Sequence, residues 1–387
     1  MAIPLKYNIR HVLLRWRTTS LTIFAVALVV AMFVCMLSLA NGLETSLTDS
    51  GNPLNVVVMR KGATSETNSS VERSAFTVIQ YAPEIARDAE DQPLAAKETI
   101  NIVIMKRRTG GSTNAIVRGI DAQSLALRPE ITLVEGRMPK PGLTELVVGT
   151  AASKRFENAQ VGQKIKLVKT QYEIVGRFDA GQTAFNSEFW GDVEGLNREF
   201  DRTVYSSFLI RARDAASVEP LIKAIESNQQ APNLRGQKEV AYYKAQTISA
   251  APIKFLGVFL SVVMSVGAVF AAMNTLYASI AGRSWEVATL RILGFSRTSI
   301  LICFLIESVF LCLLGGVLGG LLSLPMNGVA TGTTNFASFA EIAFAFQITP
   351  MLLLYGLLFS AFIGLVGGFL PALQASRQTI ISSLRES

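Results

Sequence analysis

Apolar and polar positions fall in blocks along this 387-residue chain. Four stretches are apolar almost throughout: Leu21 to Ala40, about Pro252 to Ile280, Ile300 to Leu324 and Met351 to Leu370. A helix needs about 20 residues to cross a hydrocarbon layer of about 30 Å. Each stretch meets that length, and the second is long enough to project beyond the bilayer. The pattern therefore predicts transmembrane helices over 21–41, 252–280, 300–324 and 351–370. Ser38-Leu39-Ala40 faintly resembles a cleavage site, but the run before it exceeds the roughly 7–15 residues of a signal-peptide core. It is read as a retained span.

Residues 42–250 have a different texture, with frequent charges and short runs rich in Val, Ile and Tyr. Strands are expected at Leu54–Met59, Thr99–Met105, Ala115–Ile120, Glu145–Val148, Lys164–Val168, Tyr172–Val175 and Tyr205–Ile210. Helices are expected at about Ser70–Tyr81, Asp192–Phe200 and Ala215–Glu226, the last with Asp214 as N-cap. Gly136, Pro139, Pro141, Gly142, Gly149 and Gly162 punctuate the strands. Before the first span, Leu5, Ile9, Val12, Leu13 and Trp16 recur at helical spacing opposite Lys6, Arg10 and Arg17. That describes an amphipathic helix over 1–20, lying in the membrane interface. Residues 325–350 read as a short outer loop and 371–387 as a tail. The fold class expected is a membrane α-helical protein with four transmembrane helices and an α+β extracytoplasmic domain of two subdomains.

Composition sharpens this. Half the residues are apolar and 17% are charged, against about a quarter charged in an ordinary soluble domain. The net charge of +7 forms no basic stripe with interleaved aromatics, so nucleic-acid binding is not indicated. The cations flank the spans instead. Lys6, Arg10, Arg15 and Arg17 precede the first; Arg283, Arg291 and Arg297 lie in the 281–299 loop; Arg377 and Arg385 lie in the tail. The 325–350 loop has no Lys or Arg. Positive flanks mark the cytoplasmic side, so both termini and the 281–299 loop are expected there, with 42–250 outside. Cys35, Cys303 and Cys312 all fall in apolar blocks, which leaves the outer domain without a disulfide framework.

Candidate chemistry is sparse. No Gly-x-x-x-x-Gly-Lys-Ser/Thr loop occurs, and the single histidine, His11, stands beside Arg10 with no ligand partners. Glu135, Glu145, Glu188 and Asp192 read as solvated or capping carboxylates. The loop after the second span is more informative. Trp285, Ala288, Thr289 and Ile292 share one helical face, and Gly294 supplies a stop. Inside the spans, small residues four apart (Gly315, Gly316, Gly319, Gly320; Gly364, Gly368; Gly257, Ser261, Ser265) allow close backbone packing, within one chain or between two. Glu307 is the one carboxylate inside a span, and such a group is costly without a partner. Asn274 and Glu307 both lie about 10 Å deep at 1.5 Å per residue, and are expected to form an intramembrane polar pair.

The segment from Asn274 to Arg297 resembles the coupling region of MacB/FtsX-type ABC transporter permeases, whose Arg-x-x-Glu-Ile-x-x-x-Arg-x-x-Gly-type pattern is matched by Arg283, Glu286, Val287, Arg291 and Gly294. The closing Pro371-Ala372, Ala375-Ser376-Arg377 and Leu384-Arg385 are similar to that family's C-terminal signature. Glu135-Gly136-Arg137, Pro141-Gly142 and Glu145 to Gly149 look more like the outer domain of MacB than the shorter one of FtsX. The resemblance implies that Arg283, Trp285, Glu286, Leu290, Arg291 and Gly294 couple to an ABC ATPase on another polypeptide. That ATPase would bind ATP and magnesium, with no catalytic residue or cofactor in this chain. It further implies a second permease copy, as homodimer or related heterodimer, a periplasmic adaptor protein, an outer-membrane channel and a bacterial inner-membrane location. A LolC/LolE-like lipid- or lipoprotein-extracting permease, an FtsX-like activator of a cell-wall hydrolase and a peptide-antibiotic resistance permease share the layout.

Overall fold

The computed structural model describes residues 16–282, 284–335 and 338–377. The expected interfacial helix therefore falls almost wholly outside the described residues, as do Arg283, Leu384 and Arg385. The chain divides into two compact units: Met1–Asn41, Pro252–Val329 and Phe346–Ser387 form one, and Gly42–Ala251 with Ala330–Ala345 the other.

The first unit is built from helices: α1 (Trp16–Thr48), α8 (Ala251–Ala281), α9 (Ser284–Ile292), α10 (Arg297–Ser323) and α11 (Pro350–Arg377). Four of these are long and apolar enough to cross a membrane, namely all but α9. Their packing is set by glycines. A Cβ placed on Gly319 would lie 2.5 Å from the Ala27 carbonyl oxygen, and one on Gly364 would lie 2.8 Å from the Val309 Cα. Gly315 faces Val26, Gly257 faces Met36, and Gly367 faces Ala272. These small residues bring backbones together within the chain, where association rests on van der Waals contact and not on exclusion of water. Val26, Val29, Val30, Val34, Ala268, Ala272, Cys312 and Ile363 form the buried centre. Ser308 adds a hydrogen bond from its Oγ to the Gly364 carbonyl at 2.7 Å, and the Thr22 and Thr275 hydroxyls are bonded to each other.

The second unit carries a ten-stranded mixed sheet in the order β10-β1-β9-β2-β3-β8-β5-β7-β4, with β6 paired to β7. The strands are β1 (Asn55–Arg60), β2 (Ala95–Lys106), β3 (Ser112–Ile120), β4 (Thr132–Gly136), β5 (Glu145–Gly149), β6 (Lys164–Lys166), β7 (Gln171–Asp179), β8 (Phe189–Asp192), β9 (Ser207–Arg211) and β10 (Leu234–Lys238). The helices α2 (Arg73–Ile79), α3 (Ala122–Ala126), α4 (Thr150–Arg155), α5 (Val193–Glu199), α6 (Val218–Glu226) and α7 (Glu239–Gln246) cover it. Successive side chains on a strand point to opposite faces, so neighbours enter different cores. Val56 and Val58 join one cluster with Phe208 and Ile210. Val57 and Met59 join another with Leu209 and Trp190. Twelve-residue β2 is the shared element of the two halves: Ala95–Glu98 pairs with β9, and Thr99–Lys106 pairs with β3. Gly119 must be glycine, because a Cβ there would meet the Val193 Cα at 2.8 Å.

The segment 325–350 departs from its expected role as a loop. It holds a hairpin, β11 (Ala330–Thr334) paired antiparallel with β12 (Glu341–Ala345), and this hairpin belongs to the outer unit. Its strands are five residues each, and Gly332 with three alanines dilutes the strand preference of Thr331, Thr333, Thr334, Ile342 and Phe344.

The glycine contacts generate a prediction. Gly319→Leu should destabilise the detergent-solubilised chain by about 1–3 kcal/mol, the usual cost of overpacking, whereas Gly267→Leu, with nothing within 4 Å of its Cβ, should stay near wild type. Thermal unfolding curves that coincide for the two variants would refute this packing.

Candidate functional site

The segment joining the second and third spans is a short helix with a defined stop. Gly294 has φ +89, its N–H bonds to the Arg291 carbonyl at 3.1 Å, and the Phe295 N–H reaches back to the Leu290 carbonyl at 3.1 Å. This pair of bonds is a Schellman closure, which requires a left-handed residue after the helix. The next helix starts at once, since Ser296 caps α10 by accepting the Ser299 N–H at 3.1 Å.

The face buried by α9 differs from the one its periodicity suggests. Val287 (2% exposed) and Ala288 are buried, while Trp285 (57%), Ile292 and Leu293 are exposed. Val287 seats in a cluster with Leu276 and Ile280 of the second span, Ile300 and Phe304 of the third, and Ala372 and Ala375 of the fourth. One side chain thereby fixes the short helix to three spans. Leu290 is half-buried, and so is Arg291, whose guanidinium donates to the Phe295 carbonyl at 3.4 Å. The side chain of Glu286 lies outside the described residues.

Glu307 is 3% exposed, and its Oε1 accepts a hydrogen bond from Ser279 Oγ at 3.4 Å. Asn274 is exposed, so the structure brings Ser279 to Glu307 in place of Asn274. The reason is azimuth. Ala268, Ala272, Leu276 and Ile280 form the buried stripe of α8. Ser279 is seven residues from Ala272 and returns to that stripe, whereas Asn274, two residues away, is turned by about 200°. Asn274 is also five residues, about 7.5 Å along the axis, from Ser279.

The outer unit holds a cluster that sequence reading missed. Arg118 projects from β3, 3% exposed at its side chain. It makes a two-pronged contact with Glu188, Nε to Oε2 at 2.7 Å and Nη2 to Oε1 at 2.8 Å. Its Nη1 reaches Glu98 at 2.7 Å and Glu66 at 3.3 Å. Arg128 grips Glu98 from the other side at 2.5 and 3.0 Å. Trp190 Nε1 donates to Glu188 at 2.7 Å, Ser207 Oγ donates to Glu66 at 2.5 Å, and the Phe185 ring lies under both guanidinia. Glu188 is thus a buried ion-pair partner rather than the solvated or capping carboxylate expected. Asp192 does cap α5, accepting the Gly195 N–H at 2.8 Å, and Glu145 and Glu135 pair with Arg137 and Arg177. The missed signal was Arg118 itself, a cation inside the apolar run Ala115-Ile116-Val117-Arg118-Gly119-Ile120.

A further carboxylate, Glu239 at the start of α7, borders this cluster. Its Oε2 accepts the Asn52 N–H and Asn55 Nδ2, both at 2.9 Å, while Oε1 is buried without a partner among the described residues. Burial raises its pKa to about 7, against the opposing pull of Arg128 and the Asn52 N–H. Burial alone would also raise Glu98, but the charges of Arg128 and Arg118 outweigh it and hold that carboxyl low. Desolvated ion pairs of this kind fix geometry more than they add stability, and removing one partner is costly. Among the described residues no cluster of His, Cys, Asp and Glu suits a metal ion.

Four spans with one large α+β domain following the first define an integral membrane protein with an outer domain, and the comparisons with known proteins make the class specific. Residues 19–228, more than half the chain, match the model of the MacB-like periplasmic core domain, and residues 258–380 match that of the FtsX-like permease C-terminal region. The chain is 23% identical over 398 residues to the macrolide export ATP-binding/permease protein MacB of Brucella melitensis, covering 93% of this chain and 56% of that protein. It is 23% identical over 392 residues to the MacB of Acinetobacter baylyi, covering 95% and 57%. It therefore spans little more than half the length of these relatives. Among solved structures, the periplasmic region of MacB from Actinobacillus actinomycetemcomitans gives a TM-score of 0.38 at 12% identity, covering 50% of this chain and 92% of that one. The extracellular domain of the noncanonic ABC-type transporter YknZ from Gram-positive bacteria gives 0.37 at 10% identity, covering 48% and 100%. The chain belongs to the MacB/FtsX-type ABC transporter permeases, and the family and the four apolar helices support an inner-membrane protein.

Two predictions follow from the charge cluster. Arg118→Leu should leave three buried carboxylates short of their cation and cost about 3–5 kcal/mol; equal denaturant resistance of variant and wild type would refute the pairing. The raised pKa of Glu239 means that the folded chain holds this proton more tightly than the unfolded one. Its stabilising effect is complete below the unfolded value near 4.5 and is lost as pH rises through about 7. Amide exchange of 239–246 in the reconstituted chain should quicken from pH 5 to 7.5, after correction for intrinsic rates. Glu239→Gln should flatten that trend; a trend of equal slope in the variant would rule the assignment out.

Proposed function

We propose that this chain is the membrane-embedded half of an ATP-driven export machine, passing the movement of an ATP-hydrolysing component to the outer domain. The observation that carries this reading is the seat of Val287. It sits among side chains of the second, third and fourth spans, while Trp285, Ile292 and Leu293 on the same segment remain exposed. A helix anchored on one side and apolar on its free side suits a handle gripped by a partner protein. In this reading Trp285, Leu290, Arg291 and Gly294 belong to that handle; Arg283 and the side chain of Glu286 lie outside the described residues.

The second span supplies the route outward. The chain is helical through α7, the 3-10 turn Thr247–Ala250 and α8, from Glu239 to Ala281. The second span, in this reading, carries movement at α9 toward α7. In this reading the termini and α9 lie on the cytoplasmic side, as the cations near the span ends favour. ATP and magnesium are held by the ABC ATPase, two permease copies work together, and an adaptor protein and outer-membrane channel continue the path for an exported compound. The relatives named for macrolide export favour efflux over lipid extraction or hydrolase activation.

Capture from detergent extracts with the tagged chain should recover an ABC ATPase. Trp285→Ala should weaken that capture at least about tenfold, as loss of an aromatic anchor at an interface does. Val287→Ala should leave capture intact and lower ATP turnover. Recovery of no ATPase, or equal capture by Trp285→Ala, would defeat the proposal.

A further inference from the structure

The hairpin between the third and fourth spans contains the one charged residue of 325–350, Glu341. Its side chain is 2% exposed and meets two guanidinium groups. Arg107, in the β2–β3 turn, donates to Oε2 through Nη2 at 2.7 Å and through Nε at 2.9 Å. Arg155, at the end of α4, is bonded to Oε1 and lies over Gly332, the β11 residue paired with Ala343. A carboxylate satisfied on both oxygens by two planar cations is held in direction as well as in place.

Four further contacts repeat the attachment along the hairpin. The Ala343 N–H donates to Ser187 Oγ at 2.7 Å. Asn114 Nδ2 donates to the Phe339 carbonyl at 2.8 Å. Ala340 packs with Ile100 and Ile116. At the turn, Asn335 Nδ2 donates to Gln246 Oε1 at 2.8 Å, joining the hairpin to the last residue of α7, just before the 3-10 turn that leads into the second span. The partners come from β2, β3, α4, α7 and the 3-10 turn before β8, so the hairpin is fastened to both halves of the sheet.

We propose that the β11–β12 hairpin is a clasp, latched by Glu341, that stays docked in the outer domain through that domain's movements, so that the chain passing from the third span to the fourth is held there. The chain then enters or leaves the outer unit at all four spans, and not at the first two alone. The hairpin is bonded to α7 at Gln246, the helix that precedes the second span in sequence. The use of this clasp in ATP-driven motion rests on the function proposed above; the clasp itself rests on the contacts just described.

The test uses the full chain in lipid nanodiscs. Amide exchange of 341–345 should be as slow as that of β5, and Glu341→Gln should speed it at least tenfold, while the exposed Glu130→Gln leaves it unchanged. The paired Arg107→Gln and Arg155→Gln substitutions should reproduce the effect. Unaltered exchange in Glu341→Gln would overturn the latch. Should that variant fail to fold, Asn114→Cys with Phe339→Cys, placed in a background without the native cysteines and bridged by a short bifunctional thiol reagent, addresses the clasp directly. Bridging should leave ATP turnover of the assembled complex within twofold; loss of turnover on bridging would overturn a hairpin that stays docked. Slow exchange with the Glu341 effect in a chain that captures no ATPase would sustain the clasp and defeat the mechanistic reading alone.

Discussion

In hydrocarbon every backbone polar group must be satisfied inside its own helix, and lipid is as good a neighbour for an apolar side chain as another helix is. Spans hold together only where backbones come close enough for dense contact. Gly315, Gly316, Gly319, Gly364, Gly367 and Gly368 provide that closeness here, and the rest of the membrane unit depends on it. With the spans drawn together, Leu276, Ile280, Ile300, Phe304, Ala372 and Ala375 line a seat, and Val287 fills it. The free face of α9 then has a fixed direction because the buried face does.

The outer domain meets the opposite problem. It has water around it and a sheet long enough to bend between its halves. Arg118 and Arg128, with Glu66, Glu98 and Glu188, lie where β2 leaves β9 and joins β3. Such a junction is tolerant of neither loss nor displacement of a partner. It lets α7, which supplies Tyr242 against Glu66 and Glu239 against Asn55, share one rigid centre with the strands. The hairpin from the third and fourth spans reaches the same domain through its own carboxylate.

Much of this was legible in the sequence, and the misses have definite causes. The four spans follow from length and hydropathy alone, since a bilayer imposes both. β1, β2, β3, β5, β7 and β9 were visible as runs of Val, Ile and Tyr. β4, β10, β11 and β12 were not, because Thr132–Gly136 is exposed along its whole length and Leu234–Lys238 carries little strand preference of its own; pairing partners hold them. The helix stop at Gly294 could be read because a left-handed residue leaves a compositional mark. The buried face of α9 could not, since nine residues give too little periodicity to separate Val287 from Trp285. Glu307, singled out as the one carboxylate in a span, is buried and bonded to Ser279. Its partner depends on rotation about the α8 axis and on how far the two helices are shifted along each other, neither of which a count of residues from the span end reports. Glu188 was misjudged because burial arises from contacts distant in sequence.

The central claim is that α9 and the spans it joins form one mechanical piece. Paired spin labels at Thr289 on α9 and Asn274 on the second span, both exposed, would report on it by pulsed electron resonance in the complete complex. The account predicts an unchanged Thr289–Asn274 separation within one chain between nucleotide-free and ATP-bound states, while separations between the two copies change. A shift within one chain of about a helical turn, 5.4 Å, would contradict it, because α9 would then be sliding on the spans instead of carrying them.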